Sequence, residues 1–116
     1  MKQFEHILKV LADEKRLRIV MMLQARAMCV CELAAVLGVT QPSVSRHLNR
    51  LSSAGLLGCR KSGFWTDYFL TPEHADDPEL LQIVSARLQH DPQVSEDVRI
   101  AATLDRSQLC ACRADG

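Results

Sequence analysis

The chain has 116 residues, enough for one domain with a modest core. Its hydrophobic fraction of 47% and charged fraction of 24% are those of a soluble globular protein, and no apolar run approaches a membrane span. The formal net charge of zero argues against a DNA binder until it is divided along the chain. From residue 33 to 66 the only charges are Arg46, Arg50, Arg60 and Lys61, whereas the segment from 67 onward is strongly acidic. Phosphate responds to that local asymmetry. The N-terminus shows no apolar leader or cleavage site, so a cytoplasmic location is expected. In that reducing compartment, Cys29, Cys31, Cys59, Cys110 and Cys112 are expected as ligands or buried thiols, not disulfides.

Phe4, Ile7, Leu8 and Leu11 recur at i, i+3, i+4, i+7, the pattern of a one-faced amphipathic helix. It is short, so it is expected to pack on another element or another subunit. Asp13 reads as an N-cap, with Glu14 in the first turn of a second helix running to about Ala25. Leu17, Ile19, Val20, Met21, Met22 and Leu23 make that helix apolar nearly all round and hence central. A third helix is expected to begin near Cys29 and to stop at Gly38, with Val30, Leu33, Ala34 and Leu37 facing the core.

After the turn Gly38-Val39-Thr40, Thr40 is a plausible cap and Pro42 suits a first turn. Val44, Leu48 and Leu51 line the inward face of the fourth helix. Ser43, Arg46, Asn49 and Arg50 point away from it, with Ser45 and His47 at the margins. Two helices joined by a short glycine turn, the second polar and basic outside, is the helix-turn-helix pattern. Leu56 to Arg60 and Phe64 to Leu70 suit strands joined through Lys61-Ser62-Gly63, a β-hairpin of unfixed turn type. Asp77-Pro78-Glu79 opens a further helix carrying Leu80, Leu81, Ile83, Val84 and Leu88. Asp91-Pro92 opens another to about Leu104, and the end from Asp105 is expected to be mobile. The fold class is therefore mainly α with a small β-hairpin, a winged helix-turn-helix. Residues 1–90 form the DNA-binding and dimerisation domain and 91–116 a C-terminal extension ending in Cys-Ala-Cys.

The ordered motifs Leu11-Ala12-Asp13-Glu14-Lys15-Arg16-Leu17-Arg18-Ile19, Cys29-Val30-Cys31-Glu32-Leu33 and Gln41-Pro42-Ser43-Val44-Ser45-Arg46-His47-Leu48, followed by Gly55-Leu56-Leu57, Arg60-Lys61-Ser62-Gly63 and Tyr68, resemble the ArsR/SmtB family of metalloregulatory repressors. The likeness is greatest to the arsenic-responsive ArsR branch, and runs from about residue 4 to 90. It implies a homodimer formed through the first helix and the helix after the wing. It also implies binding to double-stranded operator DNA with near two-fold symmetry, and release when arsenite or antimonite binds cysteine thiolates. No resident cofactor, membrane or catalysis is implied.

The residues support that reading in their own chemistry. Soft thiolates suit thiophilic ions, and Cys29 and Cys31 near a helix start are expected to have lowered thiol pKa values. On an ideal helix they lie about 200° apart, so joint ligation would require the first turn to unwind or bend, a route from ligand to DNA release. The best-known family motif reads Cys-Val-Cys-Asp-Leu-Cys, and its third thiol position is Ala34 here. Candidates for a third thiol are the tail pair Cys110 and Cys112, then Cys59. The zinc-sensing branch uses His and carboxylates after the wing. Here His74 and His90 only bracket a helix body without either. The cadmium/lead branch pairs Cys-Val-Cys with N-terminal cysteines, and residues 1–28 hold none. A cadmium/lead-responsive or thiol-redox repressor of the same fold is the alternative, and a protein-interaction winged helix is a non-DNA one.

Gln41, Ser43, Ser45, Arg46 and His47 are placed to reach base edges, and Arg50, Arg60 and Lys61 to reach phosphates. There is no Cys-x-x-Cys, phosphate-binding glycine loop or catalytic carboxylate pair, so an enzyme is not expected.

Overall fold

The computed structural model describes residues 1–71 and 78–109. Seven helices and three strands run in the order α1 (Lys2–Leu11), α2 (Glu14–Ala25), β1 (Met28–Cys29), α3 (Val30–Leu37), α4 (Gln41–Ser53), β2 (Leu57–Ser62), β3 (Trp65–Leu70), α5 (Pro78–Leu88), α6 (Pro92–Thr103) and α7 (Arg106–Leu109) among those residues. Asp77, the expected cap of α5, and His74 lie outside the described residues.

Helix α2 is the hub. The Asp13 side chain accepts from the Arg16 amide and starts it, which satisfies a backbone donor that would otherwise be orphaned. Ile19, Val20, Met22 and Leu23 of α2 are buried against Ile7, Val10 and Leu11 of α1 and against Leu33, Leu37, Val44, Leu48 and Leu51 of α3 and α4. The stripe of α1 that faces inward is thus Ile7, Val10 and Leu11, whereas Phe4 and Leu8 are exposed.

Gly38 closes α3 in the left-handed conformation at φ +71°, where a side chain would be strained. Thr40 caps α4 through the Ser43 amide. The hairpin β2–β3 pairs Leu57 with Leu70 through to Ser62 with Trp65. Its two-residue loop has positive φ only at Gly63, as in a type II′ turn.

Two features depart from the expectations. A short strand, β1, pairs antiparallel with β3, giving a three-stranded sheet in the order β1-β3-β2. Alternation then divides the sheet. Met28 and Tyr68 join the main core, while Cys29 and Trp65 belong to a second, smaller cluster with Cys31 and Leu109.

The chain also does not turn loose at Asp105. It continues into α7, which packs on α3. Helix α6 packs on α2 and α3. It is fastened by the buried Asp97, which accepts from Arg18 Nε and Nη2 at 2.8 and 2.9 Å.

Candidate functional site

The cysteine pair lies at the junction of β1 and α3; Cys29 is a buried thiol, whereas Cys31 is disulfide-bonded, against the expectation that no cysteine would be. Cys29 has extended backbone, φ −94° and ψ 170°, and pairs with Asp67 on β3, so the helix begins at Val30. The wheel expectation fails for that reason: Cys29 lies before the helix and Cys31 in its first turn. Their sulfurs approach to 3.4 Å, with no unwinding needed. An ion about 2.3 Å from each sulfur, a typical metal–thiolate distance, would see them at about 95°. Both residues are buried, at 3% and 7% exposure.

Glu32 holds this junction in place. Its carboxylate accepts from the Cys29 amide at 3.1 Å, the return arm of a capping box. It also accepts from Arg26 Nη2 at 2.9 Å, and the same guanidinium nitrogen donates to the Ala101 carbonyl at 2.8 Å. One side chain therefore ties β1, α3 and α6 together. Burial alone would raise the Glu32 pKa, but Arg26 and the Cys29 amide outweigh it and hold the carboxyl below its ordinary value.

The Cys29 thiol is shifted the other way from the expectation. Burial pushes it up, the Glu32 charge adds to this, and the amides of Glu32 and Cys31 only partly oppose it. The positive end of α3 is real but short, and desolvation wins over it.

The outer face of the sheet covers the pair. Arg106 of α7 donates to buried Asp67 and lies over the Trp65 ring, 4.5 Å from its centre. Leu109 and Trp65 pack against Cys29 and Cys31. Directly paired residues share a face, so Cys29, Asp67 and Arg60 form one row across all three strands.

Cys59 is exposed and pairs with Tyr68. It therefore sits on the opposite face and two strands away, roughly 10 Å from Cys29 at ordinary strand spacing. Among the described residues no three His, Cys, Asp or Glu side chains converge as an ion site. His90 is exposed. Cys110 and Cys112 lie outside the described residues.

The side chains expected to contact DNA lie on α4 and β2. Arg46 and Arg50 are exposed along α4; Gln41, Ser43 and Ser45 are half-buried near its start. Arg60, 5.4 Å from the centre of the Phe69 ring, and Lys61 are exposed on β2. His47 is different. Its Nδ1 lies 3.2 Å from Arg16 Nη1, and burial, with the charges of Arg16, Lys15 and Arg46, holds its pKa down against the pull of Asp13. Arg16 also donates from Nε to the Val10 carbonyl at 2.5 Å, so it fixes α1, α2 and the flank of α4 relative to one another.

Sequence reasoning missed Arg16, Arg26, Glu32, Asp67, Trp65 and Arg106. Only Glu32 carried a local signal, its capping-box spacing from Cys29. The others depend on long-range pairing.

A hairpin wing beside a basic second helix, with a buried cysteine pair where its sheet meets α3, defines a winged helix-turn-helix regulatory domain. Residues 13–57 match the family described as bacterial regulatory protein, arsR family. The chain is 48% identical over 67 residues to the arsenical resistance operon repressor of Escherichia coli (strain K12), covering 57% of each chain. It is 36% identical over 112 residues to the arsenical resistance operon repressor of Staphylococcus xylosus, covering 97% of this chain and 90% of that one. The chain belongs to the ArsR family, which places it among regulators and not enzymes. Its match to the Escherichia coli repressor spans little more than half of that protein's length.

Among solved structures, HlyU from Vibrio cholerae N16961 superposes with a TM-score of 0.66 at 27% identity, over 77% of this chain and 95% of that one. The homodimeric winged helix-turn-helix domain of Mb0332 from Mycobacterium bovis gives 0.62 at 27%, over 78% and 86%. The antimony-specific transcriptional repressor AntR gives 0.59 at 28%, over 78% of each. No helix among the described residues is long and apolar enough to cross a membrane.

Proposed function

We propose that this protein is a homodimeric transcriptional repressor that binds operator DNA through α4 and the wing, and leaves it when arsenite or antimonite binds Cys29 and Cys31. The observation that carries the reading is the pair of buried sulfurs 3.4 Å apart where the sheet that forms the wing meets α3. Relatives named for arsenical resistance and a structural neighbour named as antimony-specific support the choice of ion.

The chemistry of the donors supports it as well. A trivalent hydroxide such as As(OH)3 is uncharged, and each thiol that binds replaces one hydroxide. One As–O bond breaks, one As–S bond forms, and the thiol proton leaves with the hydroxide as water. Nothing is oxidised and no charge is left in the buried site. A divalent cation brings charge into the same apolar cluster, which costs more.

Dimer formation is supported by the apolar residues that each protomer leaves exposed, Phe4 and Leu8 on α1 and Ile83 on α5. Gln41, Ser43, Ser45 and Arg46 would read bases, with Arg50, Arg60 and Lys61 on phosphates. His47, held by Arg16, would position α4 and offer its remaining ring nitrogen. Release would run along the row Cys29–Asp67–Arg60, in which any shift of β1 on ion binding would carry β3 and with it the wing arginine. This is a two-position element of the kind that couples sites.

The test is fluorescence anisotropy on DNA from the protein's own promoter. Micromolar arsenite or antimonite is expected to release the protein while cadmium and peroxide do not. Release by cadmium or peroxide with arsenite inert would overturn the assignment.

A further inference from the structure

We infer that Arg106 is a positioning residue for DNA binding: it occupies the Asp67 carboxylate and so leaves Arg60, the other arginine beside that acid, to a DNA phosphate. The inference rests on the operator-binding reading and deepens it, by bringing α7 into the charge arrangement of the wing. Trp65, Asp67 and Phe69 alternate along β3 and therefore share one face of it. Arg60 on β2 is the direct cross-strand partner of Asp67. In such a pair the Cβ atoms lie about 5 Å apart, close enough for opposite charges to attract. A hairpin left to itself would close Arg60 on Asp67, and an arginine neutralised by a carboxylate has no net charge to offer phosphate.

The folded chain divides the partners differently. The buried Asp67 carboxylate accepts from Arg106 of α7, and that guanidinium lies over the Trp65 ring, 4.5 Å from its centre. The Arg60 guanidinium lies instead over Phe69, 5.4 Å from the ring centre. Space for that ring is made by Gly58, directly across from Phe69, where a Cβ would stand 2.8 Å from the ring edge. Each arginine thus has its own aromatic shelf, and the one carboxylate between the shelves goes to Arg106. That pair is also the better shielded of the two. Its side chains are 27% and 12% exposed, so salt screens it less than it would screen a pair made with the exposed Arg60.

Removing Arg106 leaves a buried carboxylate without its ion pair, which is costly. Arg60, one cross-strand position away, is then drawn to it, and the wing loses a phosphate contact. Removing the Asp67 charge as well abolishes the attraction, although α7 stays unclamped. This reversal separates electrostatic positioning from a merely structural role of α7.

The experiment uses the full chain and its promoter DNA, with affinity measured by anisotropy over a range of salt concentrations. Arg106→Ala is expected to weaken binding at least fivefold near 0.15 M salt, roughly the worth of one phosphate contact. The slope of log affinity against log salt should become shallower by about 0.9 for each protomer. Arg106→Ala/Asp67→Asn is expected to restore both affinity and slope. In an Arg60→Ala background, Arg106→Ala should change neither. Arg106→Gln, which keeps a long side chain over Trp65 without the charge, should behave as Arg106→Ala does and serves where the alanine variant unfolds.

A double variant as weak as Arg106→Ala alone would overturn the inference and make the role of Arg106 structural. So would an unaltered salt slope in both Arg106 variants, or a full loss on Arg106→Ala in the Arg60→Ala background. Wild-type affinity and slope in Arg60→Ala itself would take down the phosphate assignment beneath the inference, so the two failures are distinguishable.

Discussion

Replacing Glu32 tests how the thiol junction is held. Its side chain is almost fully buried and makes two separable interactions, the ion pair with Arg26 and the cap on the Cys29 amide. Glu32→Gln keeps an oxygen for the cap and removes the charge. A charge-assisted hydrogen bond is worth about 1.5–3 kcal/mol. The full cost of breaking a buried pair, about 3–5 kcal/mol, does not apply, because the Arg26 side chain is 37% exposed and keeps its bonds to the Ala27 and Ala101 carbonyls. The expected loss is about 2 kcal/mol. Glu32→Ala also removes the cap, for about 1 kcal/mol more, and leaves a void. Its expected loss is about 3–4 kcal/mol. Urea unfolding at one fixed protomer concentration measures both, since a dimer's midpoint moves with concentration. A Glu32→Gln protein within about 0.5 kcal/mol of wild type would refute the ion-pair reasoning, and equal losses in the two variants would refute the cap.

Arg46→Ala is expected to weaken operator binding at least tenfold, about 1.4 kcal/mol for one base contact; unchanged anisotropy would remove Arg46 from the reading face. Cys29→Ser and Cys31→Ser should each leave operator affinity within about twofold and abolish arsenite release; loss of DNA binding itself would make the thiols structural. Asp97→Ala leaves the Arg18 guanidinium, 14% exposed, with only its long contact to exposed Glu14 at 4.0 Å, and should cost about 3 kcal/mol in urea unfolding; a loss under 1 kcal/mol would mean the pair is not what fastens α6. The folded-state pKa of His47 is depressed below the ordinary 6.5, so the unfolded chain takes up its proton first as the pH falls. Its contribution to stability is therefore whole above that value and declines below it. Replacing it by His47→Asn, whose oxygen can still accept from Arg16, should flatten the fall in stability between pH 7 and 5.5, and an unaltered slope would refute this.

Much of the helix-turn-helix was legible in the chain because it is written in local signals. The caps at Asp13 and Thr40, the glycine that closes α3 and the inward stripe Val44, Leu48 and Leu51 are all settled within a few residues of themselves. The cysteine junction was less legible. Nothing in Met28-Cys29 announces a strand, because two residues have no periodicity, and the pairing that makes them one comes from β3, some forty residues later. Once Cys29 is a strand residue the helical wheel ceases to apply to it, and the two sulfurs meet. Arg106 looked like part of a loose acidic tail because its partners, Asp67 and Trp65, are distant in sequence. The raised pKa of the Cys29 thiol has the same origin: burial by α7 and β3 is a tertiary effect that no helix-dipole argument contains.

That arrangement bears on how a small ion could move a protein off DNA. A thiol pair in the middle of a rigid helix would have to break backbone hydrogen bonds to converge, and the cost would fall on the same ion that must act as inducer. Placing Cys29 on a two-residue edge strand avoids this. The sulfurs are already 3.4 Å apart, so ligation would not have to unwind α3. Only two residue pairs join those strands, which makes the joint easy to displace, while β3 and β2 are paired over six residues and move as one wing. Arg60 stands directly across from Asp67 in that wing. A displacement at Cys29 would therefore reach a proposed phosphate contact through one intervening residue, Asp67, which Arg106 holds.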